Sequence, residues 1–185
     1  FLHAARHHPA MARVAPVRKA LGRRTIFNLL GPLCNPAGVD QQLMGVFAPA
    51  PVPLMAEALQ QLGSRAALVV HGQGFDEVAI SGETTALALA GGVLTPRTLT
   101  PEDAALPRHP AEALKGGSPA YNAERLNALL AGQQDAYRDM VLLNAAAALT
   151  VVRPGLTLPQ AAAAAATAID SGAAADILAR WIAFR

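Results

Sequence analysis

The chain has 185 residues, 52% of them hydrophobic and only 15% charged, the opposite of a disordered composition and enough for one packed domain or one and a part. A single cysteine, Cys34, excludes an internal disulfide and a cysteine-based metal cage, so a reducing cytoplasm fits best. A formal charge of +2 and few aromatic residues make no case for nucleic acid, and no apolar run approaches the about 20 residues of a bilayer span.

Charge is unevenly distributed. Arg6, Arg13, Arg18, Lys19, Arg23 and Arg24 all precede the first acidic residue, Asp40, and His3, His7 and His8 accompany them, which suits a small anionic partner. The chain opens on Phe1-Leu2-His3, without Met and without the charged start and cleavage site of a signal peptide, as expected of a piece of a longer protein.

In chain order, apolar residues at helical spacing predict a helix over Pro9–Leu21 that carries Arg18 and stops at Gly22, with Pro16 threatening a kink. Residues 25–36, cut by Gly31-Pro32 and Asn35-Pro36, predict a compact loop in which Cys34 is a packed small residue. Short apolar runs at 43–47 and 66–70 flank an amphipathic helix at 52–62 closed by Gly63, a βαβ unit with parallel strands. Ligands in such units collect outside the carboxyl ends of the strands, where His71-Gly72-Gln73-Gly74-Phe75-Asp76-Glu77 falls.

Runs at 78–81, 84–89 and 93–99, separated by Ser81-Gly82 and Gly91-Gly92, predict an antiparallel extension of the sheet. After a proline-punctuated stretch at 100–119 the chain turns helical. One helix follows the Ser118 cap and Pro119, a largely apolar one spans 135–152, and two more span 158–171 and 173–184 with Gly172 as the cap between them. The alanine run at 161–166 reads as ordinary helix whose small side chains permit close approach.

Two constellations carry possible chemistry. Asp76 and Glu77 offer hard oxygen ligands on a loop beside Gly72 and Gly74, and Mg²⁺ is commonly held by one or two carboxylates together with substrate phosphates; on spacing alone, a solvated acidic turn serves as well. His8 and Arg18 lie ten residues apart, close to three helical turns, so one side of a helix can present both. Arg18 would meet a carboxylate or phosphate with a planar fork, or belong to a solvated basic face. No carboxylate or cysteine near His3, His7 and His8 supports a zinc site, and no GxSxG, HExxH, P-loop or GxGxxG pattern occurs.

Taken together, several long phrases are similar to anthranilate phosphoribosyltransferases: Phe1-Leu2 through His8-Pro9-Ala10-Met11, Val17-Arg18, Val69-Val70-His71-Gly72, Asp76-Glu77, Gly116-Gly117, Leu142-Leu143-Asn144-Ala145-Ala146 and Ala168-Ile169-Asp170-Ser171-Gly172. The most specific phrase runs from Arg24-Thr25-Ile26-Phe27-Asn28 to Asn35-Pro36-Ala37. The resemblance implies an α/β fold with a mixed, mainly parallel sheet flanked by helices, as in the large domain of class III phosphoribosyltransferases and nucleoside phosphorylases. It also implies transfer of 5-phosphoribosyl from phosphoribosyl pyrophosphate to the amine of anthranilate, with Mg²⁺ as cofactor and a homodimeric parent. Arg18, His8 and Ala4 would bind anthranilate, and Asp76 and Glu77 would hold the metal.

The family's small helical N-terminal domain, its glycine-rich phosphate phrase and its Lys-His-Gly-Asn segment do not occur here, so residues 1–185 read as the C-terminal part of the α/β domain and as inactive alone. Ser118 stands where the family often has an acidic residue and Cys34 where it often has a small hydroxyl. The alternatives are a pyrimidine nucleoside phosphorylase-like pentosyltransferase and a non-catalytic α/β interaction module.

Overall fold

The computed structural model describes residues 7–184. Helix α1 (Pro9–Leu21) runs through Pro16 and ends where Gly22, at φ 58°, donates its N–H to the carbonyl of Lys19. Residues 25–36 are not the plain loop that their prolines suggest, because a seven-residue helix, α2 (Phe27–Leu33), forms within them. Pro32 sits in its last turn, where a missing N–H removes a single helical bond. Thr25 supplies the opening geometry, its N–H donating to Asn28 Oδ1 at 2.9 Å. Cys34 follows α2 and is exposed rather than packed.

Strand β1 (Gln41–Gly45), helix α3 (Pro51–Gln61) and strand β2 (Ala66–Gly72) form the expected βαβ unit, with Gln41 opposite Ala66 and Gly45 opposite Val70 in parallel register. Strands β3 (Thr84–Ala90) and β4 (Val93–Leu99) complete a sheet of order β1-β2-β3-β4, and both of their pairings are antiparallel. The sheet is mixed, as expected, but its described part holds one parallel and two antiparallel pairings rather than a parallel majority. The cause is connection length. Parallel neighbours need a long crossover, which α3 provides, whereas β4 returns from β3 directly across Gly91-Gly92.

Residues 78–81 form no strand, although Val78, Ala79 and Ile80 are fully buried. Instead of joining a ladder, the Val78 and Ala79 groups bond to the side chains of Asn144 and Thr84, and the Ile80 carbonyl accepts the His109 backbone N–H at 3.1 Å.

Four helices close the chain: α4 (Pro119–Leu130), α5 (Ala136–Val152), α6 (Leu158–Asp170) and α7 (Ala173–Ala183). Ser118, Asp135 and Thr157 cap α4, α5 and α6, each side chain accepting a backbone N–H of the first turn. The alternation along β2 explains the layers. Ala67 and Val69 face α3 with Met55, Ala56 and Leu59, whereas Leu68 and Val70 face α5 with Leu143, Ala146 and Ala147. Ala161 and Ala162 bury α6 against this second layer, the close approach that small side chains allow. Among the described residues no single helix is long and apolar enough to cross a membrane.

Candidate functional site

The carboxyl ends of β1 and β2 carry the acidic loop. After β2 the chain folds back on itself, Gly72 and Phe75 exchanging backbone hydrogen bonds of 3.1 and 2.8 Å around Gln73 and Gly74. Both central residues have positive φ, 43° and 91°, the requirement of a tight type I′ turn. Two glycines let the return leg lie against the strand ends. A Cβ on Gly45 would overlap the carbonyl oxygen of Asp76, and one on Gly72 would sit 2.6 Å from the Ala79 amide nitrogen and 2.7 Å from the Glu77 carbonyl oxygen. Glycine at 45 and 72 is therefore what seats Asp76 and Glu77 at the end of the parallel pair.

His71 ties this loop to β1. Its Nδ1 lies 2.8 Å from the Val46 carbonyl oxygen, which accepts only, so Nδ1 carries the proton and Nε2 is left to accept from the Gly74 N–H at 3.4 Å. Behind the loop, Val78 N–H donates to Asn144 Oδ1 at 2.9 Å, and Asn144 Nδ2 donates to the Val78 carbonyl at 2.9 Å. Ala79 N–H donates to Thr84 Oγ1 at 2.9 Å.

Asp76 and Glu77 both reach solvent. Partial desolvation first, then the charge of Asp76, pushes the Glu77 carboxyl above its ordinary range. Such a pair favours a cation. No group of three or more His, Cys, Asp or Glu side chains suited to a metal exists among the described residues, so a closed protein cage is excluded there. Two adjacent carboxylates open to solvent fit Mg²⁺, which retains waters and shares its coordination with substrate phosphates.

The basic segment forms an open cleft lined by Arg18, Lys19, Arg23, Arg24 and Asn28, among others. The guanidinium of Arg18 lies over the Phe27 ring at 5.8 Å from its centroid, and that of Arg24 over the Phe47 ring at 4.2 Å. Phe47 stands two residues beyond Gly45, the glycine covered by Asp76, so the Arg24 stack brings the basic segment to the carboxylate end of the sheet. His8 is the half-buried residue preceding α1 and is not in the lining of this cleft; neither are Asp76 and Glu77. Ala4 lies outside the described residues. Sequence reasoning placed His71 at the ligand end of the strands but not its bond to Val46, and it assigned no role to Asn144, Thr84, Phe27 or Phe47. An asparagine in the middle of an otherwise apolar helix was the one signal available for Asn144.

Residues 1–175 match the family described as "Glycosyl transferase family, a/b domain". The chain belongs to that family. Within this glycosyl transferase family, a curated anthranilate phosphoribosyltransferase of Rhodospirillum rubrum is 54% identical over 184 residues, which is 99% of this chain and 53% of the relative. A crystal structure of anthranilate phosphoribosyltransferase from Thermus thermophilus is 45% identical and superposes with a TM-score of 0.90 over 99% of this chain and 54% of its own. The Saccharomyces cerevisiae enzyme in complex with PRPP and Mg is 29% identical, with a TM-score of 0.80 over 89% of this chain and 48% of its own. The chain thus spans about half the length of the relatives it matches.

Proposed function

We propose that a full-length protein carrying this chain transfers the 5-phosphoribosyl group from phosphoribosyl pyrophosphate to the amine of anthranilate. The bond from the ribose anomeric carbon to the pyrophosphate oxygen breaks, a bond from that carbon to the anthranilate nitrogen forms, and pyrophosphate leaves with its electron pair while the nitrogen gives up one proton to the leaving pyrophosphate or to water. The observation that carries this reading is that an acidic loop, whose Asp76 backbone covers Gly45, and a basic cleft, whose Arg24 stacks on Phe47 two residues on, lie at the same end of the sheet. The relatives' names supply the substrates.

In this reading Asp76 and Glu77 hold Mg²⁺, which, when bound, supplies positive charge to the leaving pyrophosphate. Arg18 offers its fork to the carboxylate of anthranilate, and the Phe27 ring beneath it holds that fork in orientation. The resemblance alone assigns His8 and Ala4 to anthranilate binding, and His8 stands outside the cleft that Arg18 lines. Residues 1–185 are the C-terminal part of the α/β domain, and the loops that cradle the donor phosphates lie outside them.

The test is steady-state kinetics of the full-length protein and its Arg18 variants. Arg18→Ala should raise KM for anthranilate roughly 10- to 150-fold, the loss of one charge-assisted hydrogen bond, and leave that for phosphoribosyl pyrophosphate nearly unchanged. Arg18→Lys should rescue little. Unchanged anthranilate kinetics in both variants would return Arg18 to the solvated basic face. Turnover of thymidine or uridine with phosphate, and none of anthranilate, would transfer the protein to the nucleoside phosphorylase reading.

A further inference from the structure

We propose that Thr84 and Asn144 are positioning residues for the Asp76–Glu77 pair, fixing the backbone directly behind the two carboxylates so that both address one cation; this rests on the metal reading above. The residues that follow Glu77 are unusual in being fully buried without strand partners. A buried amide group left unpaired is costly, and here two side chains provide the partners, Thr84 at the start of the next strand and Asn144 from the distant helix α5. Asn144 closes a ring on Val78, accepting its N–H at 2.9 Å and donating to its carbonyl at 2.9 Å, while a further Nδ2 bond of 3.0 Å to the Met140 carbonyl fixes the amide on α5. Both peptide planes of Val78 are thereby set, and the first of them is the Glu77–Val78 peptide, whose carbonyl also touches the Cβ position of Gly72. Thr84, itself 0% exposed, takes the next N–H.

Adjacent carboxylates repel one another, and a loop anchored only at its tip would swing one of them away. The front anchors, at Gly45 and His71, hold Asp76 and the turn; the rear anchors hold the exit from Glu77. Polar groups behind metal ligands commonly govern affinity by 10- to 100-fold, and these two are suited to that task.

Thr84 permits a clean comparison, since Thr84→Val keeps the shape and removes the acceptor, whereas Thr84→Ser keeps the hydroxyl. In the full-length protein, Mn²⁺ binding in the presence of pyrophosphate is read by electron paramagnetic resonance, alongside KM for anthranilate and the melting temperature. Thr84→Val and Asn144→Leu should weaken Mn²⁺ by about 10- to 100-fold with the anthranilate KM unchanged, and Thr84→Ser should bind Mn²⁺ like the wild type. The control is Asp76→Asn with Glu77→Gln. If that control binds Mn²⁺ normally, the metal reading itself fails. If the control loses Mn²⁺ while Thr84→Val and Asn144→Leu retain it, the positioning role alone is overturned, as it is if Thr84→Ser falls as far as Thr84→Val. Should Asn144→Leu not fold, the Thr84 pair decides.

Discussion

At the residue scale, Glu77 makes the electrostatics of the acidic loop measurable without turnover. Its carboxyl is pushed above the ordinary range by desolvation and by Asp76, so the folded protein binds that proton more strongly than the unfolded chain does. The sign follows by linkage: stability falls as pH rises from the ordinary glutamate range through the folded pKa, because ionisation is harder in the folded state. In metal-free buffer, Glu77→Gln should therefore gain stability relative to the wild type on going from pH 4 to pH 7, and added Mg²⁺ should favour the wild type selectively. Urea melts at the two pH values check this, and a difference that ignores pH would remove the repulsion argument. Asp76 and Glu77 were legible in the sequence because they follow glycines at a strand end. Asn144 was not, since its contact with Val78 spans 66 residues and only the fold creates it; Thr84 was not, because its bond to Ala79, five residues away, exists only where the run at 78–81 forms no strand.

At the scale of elements, α5 is where the layers are joined. Its cap Asp135 accepts from the Arg138 N–H at 3.0 Å and pairs with Arg125 at 2.9 Å. One turn in, the buried Arg138 donates to Asp170 of α6 at 2.9 Å, its other terminal nitrogen having no partner among the described residues. Asp170 is half exposed, but removing it would leave a guanidinium sealed in the interface with no acceptor. Asp170→Ala should cost roughly 2–4 kcal/mol in a chemical denaturation, and Arg138→Met added to it should recover part of that loss. Additive losses would show that the pair is not coupled. The sequence made α3 to α7 readable through apolar spacing and the helix-end residues Gly63, Ser118 and Gly172, whereas the caps Asp135 and Thr157 emerged only in the structure. It misled at 78–81, where an apolar run imitates a strand but its amides bond to side chains, and at 27–33, where prolines hide a short helix.

At the scale of the whole molecule, the two edges of the described sheet differ. Strand β4 carries Pro96 and Arg97 and is mostly exposed, features that blunt an edge against further pairing. Strand β1 is half-buried, rich in apolar and uncharged residues, and has no such protection. Large apolar side chains also stand exposed at both ends of the chain, Val17 and Ile26 near its start and Ile177, Ile182 and Phe184 near its close. Residues 1–185 by themselves should therefore fold, since the sheet is packed on both faces, yet associate with rising concentration through these surfaces. They should also fail to turn over anthranilate and phosphoribosyl pyrophosphate. Pentosyl transfer needs donor phosphates, cation and acceptor amine held in one geometry, and much of the barrier reduction comes from that positioning. The chain offers an acceptor arginine and a carboxylate pair but no glycine-rich phosphate cradle. Near-ultraviolet circular dichroism establishes that the isolated chain is packed, gel filtration over a concentration series reads its association, and fluorescence loss of anthranilate reads turnover. Turnover by a folded sample above the level of Asp76→Asn with Glu77→Gln would mean that residues within 1–185 build a donor site of their own.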